Sequence, residues 1–249
     1  GEVDAMQVQH IRPTAQRRMS LTIVLAAFPF APVGPDAVGG AEQVVATLDA
    51  GLTALGHRTI VVCAEGSRTV GARIETPLPD GAFAGTARQA VQADHAAAIA
   101  QALRSGTDVL HLHGIDFASY LPPPGVPTLV TLHLPPSWYP AATFVRDRPD
   151  TWLVPVSHAQ HAACPPCDAL LPPVPNGVAV ERLPARVTRR DYAMALGRIC
   201  PEKALHLALD AGTRAGLPVL LCGEVFPYPD HERYWREEIV PRLQGGPHR

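Results

Sequence analysis

Two short stretches of this sequence carry residue types suited to holding a phosphate. Gly39-Gly40-Ala41-Glu42 follows an apolar run, Leu21 to Ala26, and opens an amphipathic segment. Gly197-Arg198, with Lys203 a short way downstream, follows a second apolar run and opens a second amphipathic segment. Backbone N–H groups at a helix start favour anions, and arginine and lysine add fixed positive charge. Glycine lets a ligand approach the backbone where any Cβ would block it. Both stretches sit at the carboxyl ends of expected strands, so they predict one anionic ligand held between two α/β domains.

Other residues invite a chemical reading and a plainer one. Glu42 is either a first-turn carboxylate balancing the helix dipole or a polar contact in a cleft, and the dipole reading is preferred. Arg198 and Lys203 suit solvated surface cations as well as a phosphate site. A cation in a first helical turn opposes the dipole, however, so Lys203 there calls for an anion. His133 ends an apolar run, and the carboxyl end of a parallel strand is where ligands bind; the alternative is a satisfied core histidine. His111 and His113 share one strand face. His113, nearer the strand end, is the better cleft candidate, and His111 suits a structural place. His158, His161, Cys164 and Cys167 spell His-x-x-His-x-x-Cys-x-x-Cys, a zinc-like ligand set. Pro165-Pro166 restricts closure between the two cysteines, so no zinc is expected there.

The elements that must position these residues follow from periodicity. Strands are expected at Leu21–Ala26, Thr59–Cys63, Asp108–His113, Pro127–His133, Trp152–Val156 and Leu170–Val174. Helices are expected at Gly40–Leu55, ended by Gly56, and at Thr86–Arg104; Ser157 caps a short helix that the prolines at 165 and 166 end. A turn is expected at Pro175-Asn176-Gly177. An arginine-rich polar segment, 181–190, reads as a linker. The pattern then restarts, with strands at Ala193–Arg198 and Pro218–Gly223 and helices at Glu202–Ala215 and Asp230–Leu243. Such alternation predicts an α/β fold with a doubly wound, mostly parallel sheet. The boundaries are an extension or tag at 1–18, expected to be disordered, a first domain at 19–185 and an incomplete second domain at 190–249. Two strands are few for a doubly wound sheet and marginal alone.

Composition narrows the class. The chain has 249 residues, 47% of them hydrophobic, and a formal net charge of −2, which excludes a nucleic-acid-coating protein and a disordered tail. Five cysteines without a disulfide framework suggest reduced thiols and a cytoplasmic location. No run is long and apolar enough for a membrane span. Arg17-Arg18 ahead of Leu21–Phe30 has the look of a signal peptide, but the segment opened by Gly39-Gly40 follows directly and favours a buried first strand. A dinucleotide-dependent oxidoreductase is disfavoured because Gly-x-Gly-x-x-Gly is absent after the first strand.

Four stretches together carry a family resemblance: Gly39-Gly40-Ala41-Glu42 through His57; Asp108 through Gly114; Val130-Thr131-Leu132-His133; and Pro175-Asn176-Gly177-Val178 followed by Gly197-Arg198 and Lys203. In this order and spacing the chain resembles a bacterial retaining glycosyltransferase of the GT-B fold, family 4, over about residues 19 to 245. The resemblance implies transfer of a hexose from a nucleotide diphosphate-sugar, with retention of configuration and no metal or other cofactor. It implies that His133 contacts the donor sugar near the reacting carbon, as the catalytic residue. Gly39, Gly40, Arg198 and Lys203 would face the donor diphosphate, with Glu42, His113 and Gly223 lining the cleft. The implied partners are the nucleotide-sugar and a sugar, lipid or small-molecule acceptor, with no nucleic acid and peripheral membrane contact allowed. The family's acidic motif late in the second domain has no counterpart before Arg249, so the chain as given is expected to be inactive. A non-catalytic sugar- or nucleotide-binding module is the alternative.

Overall fold

A computed structural model describes residues 20–79, 81, 85–180, 188, 190–244 and 246–249. The expected extension at 1–18 and most of the arginine-rich linker lie outside the described residues. The chain divides into two compact units, Gly1–Val178 and Ala179–Arg249.

The first unit contains β1 (Thr22–Ala26), α1 (Gly40–Ala54), β2 (Arg58–Ala64), β3 (Ala72–Thr76), α2 (Gly85–Leu103), β4 (Val109–Leu112), β5 (Thr128–Leu132), β6 (Thr151–Pro155) and α3 (His158–Ala163). The six strands form one parallel sheet in the order β3-β2-β1-β4-β5-β6. Val24, Leu110, Leu112, Val130 and Leu132 meet Ile99 of α2 on one face. Ile23, Leu25, Val61 and Cys63 meet Val45 of α1 on the other. Strands buried on both faces are why these segments read as continuous apolar runs.

Helix α1 ends as the sequence suggests. Gly56 adopts φ +86, the Gly56 N–H donates to Thr53 and the His57 N–H donates to Leu52, which closes the helix with a left-handed cap. Leu55 lies beyond the helix and is exposed, so it is not part of the stripe of α1 residues, Val45 among them, that is buried against the sheet. The stripe instead includes Asp49, fully buried, whose carboxylate accepts from Thr59 Oγ1 at 2.5 Å, the Val70 N–H at 2.6 Å and the Gly71 N–H at 3.1 Å. These bonds fasten the approach to β3. β3 escaped the sequence reading because an exposed edge strand, Ala-Arg-Ile-Glu-Thr, shows no apolar run.

Two further expectations are corrected. Leu170–Val174 is not a strand; it makes one bridge to Leu153 and scattered bonds to β6. Pro172 and Pro173 have no N–H to donate, so no ladder can extend through them. No turn forms at Pro175–Gly177.

The second unit contains β7 (Ala193–Leu196), a 3-10 turn (Pro201–Lys203), α4 (Leu205–Ala215), β8 (Val219–Cys222), α5 (Pro229–Tyr234), a π-helical turn (Trp235–Ile239) and α6 (Val240–Gln244). Its two strands are parallel, and Ile199, Leu205, Leu209, Val219, Tyr234 and Ile239 form the core. The wide π turn precedes Pro241, whose ring would meet the carbonyl one α-turn back and which lacks an N–H. The expected helix from Glu202 begins only at Leu205. Ala204 breaks it with φ +49 and ψ +37, so Lys203 sits in the 3-10 turn and not in the first turn of α4.

Candidate active site

Strand order reverses between β1 and β4, and the loops leaving those strands diverge at that point. Open α/β sheets bind ligands outside the carboxyl ends of their strands at such a switch point. The loop after β1 leads to Gly39-Gly40, His113 follows β4 directly and His133 follows β5 directly. The His113 N–H donates to the Ala26 carbonyl at 3.0 Å, tying the two central strand ends together. A hollow of about 500 Å³ lined by Ile74, Thr76, Ala98 and Arg104 lies at the β3 edge, away from this point.

The three histidines form one polar ladder. His111 Nε2 and Thr131 Oγ1 are 2.7 Å apart, and His113 Nδ1 and His133 Nε2 are 3.0 Å apart. The His113 and His133 rings stack at 5.3 Å, and those of His111 and His113 lie 4.1 Å apart. Burial pushes His111 and His133 down to about 4; for His111 the neighbouring His133 adds to this. Burial, with both neighbouring imidazoles, also holds His113 well below its ordinary value. At neutral pH the ladder is therefore uncharged, and one imidazole of the His113–His133 pair donates to the other. His113 Nε2 is buried with no partner, whereas the His133 ring is partly exposed at the strand end.

Tyr139 and Gln160, which sequence reasoning did not single out, fix this end of β5. The Tyr139 hydroxyl accepts from the His133 N–H at 3.0 Å. Gln160 Nε2 donates to the Leu132 and Leu134 carbonyls at 2.8 Å each, while its oxygen accepts from the Val156 N–H at 2.7 Å. Ser157 caps α3, as expected, by accepting from the Gln160 N–H. Gln160 lies inside the His-x-x-His-x-x-Cys-x-x-Cys run, where the ligand-like spacing drew attention to its neighbours instead. Cys164 and Cys167 pack against the apolar core, and no three of the run's four ligand residues converge.

The glycines divide in their reasons. A Cβ on Gly39, the N-cap of α1, would overlap the carboxylate of Glu42, which folds back over the helix start and is 6% exposed. Gly39 therefore makes room for Glu42, in keeping with the dipole reading of that carboxylate. Nothing lies within 4 Å of a Cβ on Gly40, which faces open space.

In the second unit, Gly197 has φ +157, a backbone conformation that side chains rarely adopt, and a Cβ on Gly223 would overlap the Gly197 carbonyl oxygen, so an ordinary side chain is disfavoured at the first by conformation and at the second by space. This close approach ends β7 and β8 side by side and supplies a packing reason for Gly223. Arg198 and Lys203 are both exposed, and Lys203 Cδ lies 4.0 Å from where a Gly197 Cβ would be. Among the described residues neither cation makes a salt bridge. Lys203 is also the chain's sole lysine.

Ala204 has the one non-glycine positive φ among the described residues, and it separates Lys203 from α4. A left-handed conformation costs an L-residue roughly 1–2 kcal/mol, and glycine's extra freedom in the unfolded chain returns about 0.4–1 kcal/mol of that. Ala204→Gly should therefore stabilise the protein by about 0.5–1 kcal/mol. A higher urea midpoint at unchanged slope is the expected observation, and a lower midpoint would contradict the strain.

The catalytic domain of starch synthase IV from Arabidopsis thaliana, bound to ADP and acarbose, superposes with a TM-score of 0.63 at 16% identity. The match covers 92% of this chain and 73% of that one. MurG from Acinetobacter baumannii gives a TM-score of 0.45 at 11% identity, covering 88% of this chain and 66% of that one. The sequence matches no curated protein. The fold is GT-B, and no helix among the described residues is long and apolar enough to cross a membrane. The family described as Glycosyltransferase Family 4 matches residues 38–182, more than half of the sequence, and the chain belongs to that family.

Proposed function

We propose that the protein transfers a hexose from a nucleotide diphosphate-sugar to an acceptor hydroxyl, with retention of configuration. The observation that carries the reading is the pair of exposed cations, Arg198 and Lys203, without salt-bridge partners among the described residues, beside the close Gly197–Gly223 approach at the end of β7. The relative from Arabidopsis, with ADP bound, supports a nucleotide diphosphate as the ligand. Arg198 and Lys203 hold the diphosphate and offset charge as it departs, so the transfer itself needs no metal ion. The bond from the anomeric carbon to the phosphate oxygen breaks, and its electron pair leaves with the nucleoside diphosphate. The acceptor oxygen forms its bond on the same face, and its proton passes to the departing phosphate oxygen. His133, uncharged at neutral pH and fixed by His113 and Tyr139, hydrogen-bonds the donor sugar.

The test uses the protein encoded by the whole gene with a panel of nucleotide diphosphate-sugars and sugar, lipid and small-molecule acceptors. The expected result is acceptor-dependent release of nucleoside diphosphate and, by NMR, a product with the donor's anomeric configuration. Inverted product would refute retention. No release from any donor, together with no nucleotide binding, would refute the transferase reading.

A further inference from the structure

The second unit brings together three metal-ligating residues that are dispersed in the sequence. Cys200 and Glu202 bracket Pro201 at the start of the 3-10 turn, and His231 lies on α5. Cys200 Sγ, a Glu202 carboxylate oxygen and one ring nitrogen of His231 all lie within 4.8 Å of one another. Ligand atoms around a tetrahedral zinc, bound at about 2.0–2.3 Å, stand roughly 3.3–3.8 Å apart. Small side-chain rotations would close the set to that spacing.

A second observation points to a ligand. His231 is 8% exposed, and its Nδ1 is buried with no hydrogen-bond partner. Buried polar nitrogens normally find one, and a metal ion is one way to complete an imidazole. Tyr228 stands edge-on to the ring at 5.0 Å and Phe226 lies 6.3 Å away, so aromatic packing orients the imidazole. Cys200 is fully buried, whereas Glu202 is exposed and leaves access from solvent.

The donor set selects the ion. Thiolate and imidazole suit zinc, while magnesium and calcium prefer oxygen ligands alone. Zinc, thiolate and carboxylate sum to zero charge, so the occupied site is neutral beside Arg198 and Lys203. Binding displaces the Cys200 proton into solvent, and a fourth position is left for water. We propose that Cys200, Glu202 and His231 form a zinc-class metal site that fastens the turn carrying Lys203 to α5. Small folds with little core commonly gain rigidity from such a cross-link, and this unit has a two-stranded sheet. The metal takes no part in sugar transfer, so this site stands or falls separately from the proposed reaction.

The test is a zinc titration of the purified, chelator-stripped protein in competition with a chromophoric chelator, repeated with Co(II). The expected result is one zinc per chain, a thermal midpoint that rises with zinc, and a thiolate-to-cobalt charge-transfer band. Cys200→Ser and His231→Gln should each weaken binding by about a hundredfold or more, since losing even an outer partner costs roughly 10–100-fold. Both variants should keep the circular dichroism and melting of the metal-free protein. If one fails to fold, the other still decides. Cys164→Ser should bind zinc as the parent does. Absence of stoichiometric binding, binding untouched by the folded variants, or binding lost in Cys164→Ser would overturn the proposal.

Discussion

Arg198→Ala and Lys203→Ala should each weaken nucleoside diphosphate binding by about tenfold to a hundredfold. Hydrogen bonds to charged groups contribute roughly 1.5–3 kcal/mol each, and every 1.4 kcal/mol is about tenfold. Neither side chain has a protein ion pair to release among the described residues, so little of that energy is offset by breaking an existing bridge. Removing the phosphates isolates the effect: the nucleoside alone should bind parent and variants equally. Lys203→Arg should not restore full affinity. The ammonium is a compact point charge on a flexible stem, and the guanidinium is a planar fork with different reach. Calorimetric titration of the protein from the whole gene measures all of these. Equal diphosphate affinity in parent and both alanine variants would remove the donor-site assignment while leaving the family membership intact.

Acid should unfold the first unit well before its carboxylates are fully protonated. His95, His111 and His133 are pushed down to about 4, and His113 is held well below its ordinary value, mainly by burial; for His95 the Ala27 backbone partly opposes this. Above the ordinary value of 6.5, folded and unfolded chains both hold these imidazoles neutral and no stability is lost. Below it, the unfolded chain takes up protons that the folded chain refuses, so stability falls with pH until the folded imidazoles titrate near 4. Each such histidine costs up to about 1.4 kcal/mol per pH unit in this window. Four together would consume much of a typical stability of about 5–15 kcal/mol within roughly two units. Denaturant melts between pH 7 and pH 4 should show this slope. Replacing fully buried His95 with leucine should flatten the slope by about one proton. A pH-independent midpoint across the window would mean that these imidazoles are not held neutral. The same burial gives His133 its chemical character: at neutral pH it serves as an uncharged hydrogen-bonding group.

Local rules made much of the framework legible. The apolar runs marked β1, β2, β4, β5 and β6 because strands buried on both faces must be apolar throughout. Gly56 and Ser157 marked helix ends because caps satisfy backbone groups within a few residues. The sequence set His113 and His133 at strand ends and Gly39-Gly40 at a helix start, and they follow β4 and β5 and open α1; Lys203, expected in a first helical turn, lies instead in the 3-10 turn ahead of α4. The failures were also physical. β3 is an exposed edge with no apolar signature, prolines prevent a ladder at Leu170–Val174, and a left-handed Ala204 delays α4.

The metal ligands show most directly what tertiary structure alone decided. Sequence spacing drew attention to His158, His161, Cys164 and Cys167, adjacent along the chain, yet no three of them converge: His158 is exposed, and Cys164 and Cys167 pack on the core. Cys200, Glu202 and His231 converge across α4 and β8, a relationship that no short-range pattern records. The His111–Thr131 and His113–His133 bonds likewise exist only because β4 lies beside β5 in a fixed register. Sequence determined what each segment becomes, because periodicity, caps and strand ends act over a few residues. Strand order and packing determined which distant groups meet, because those depend on how the whole chain buries its apolar surface.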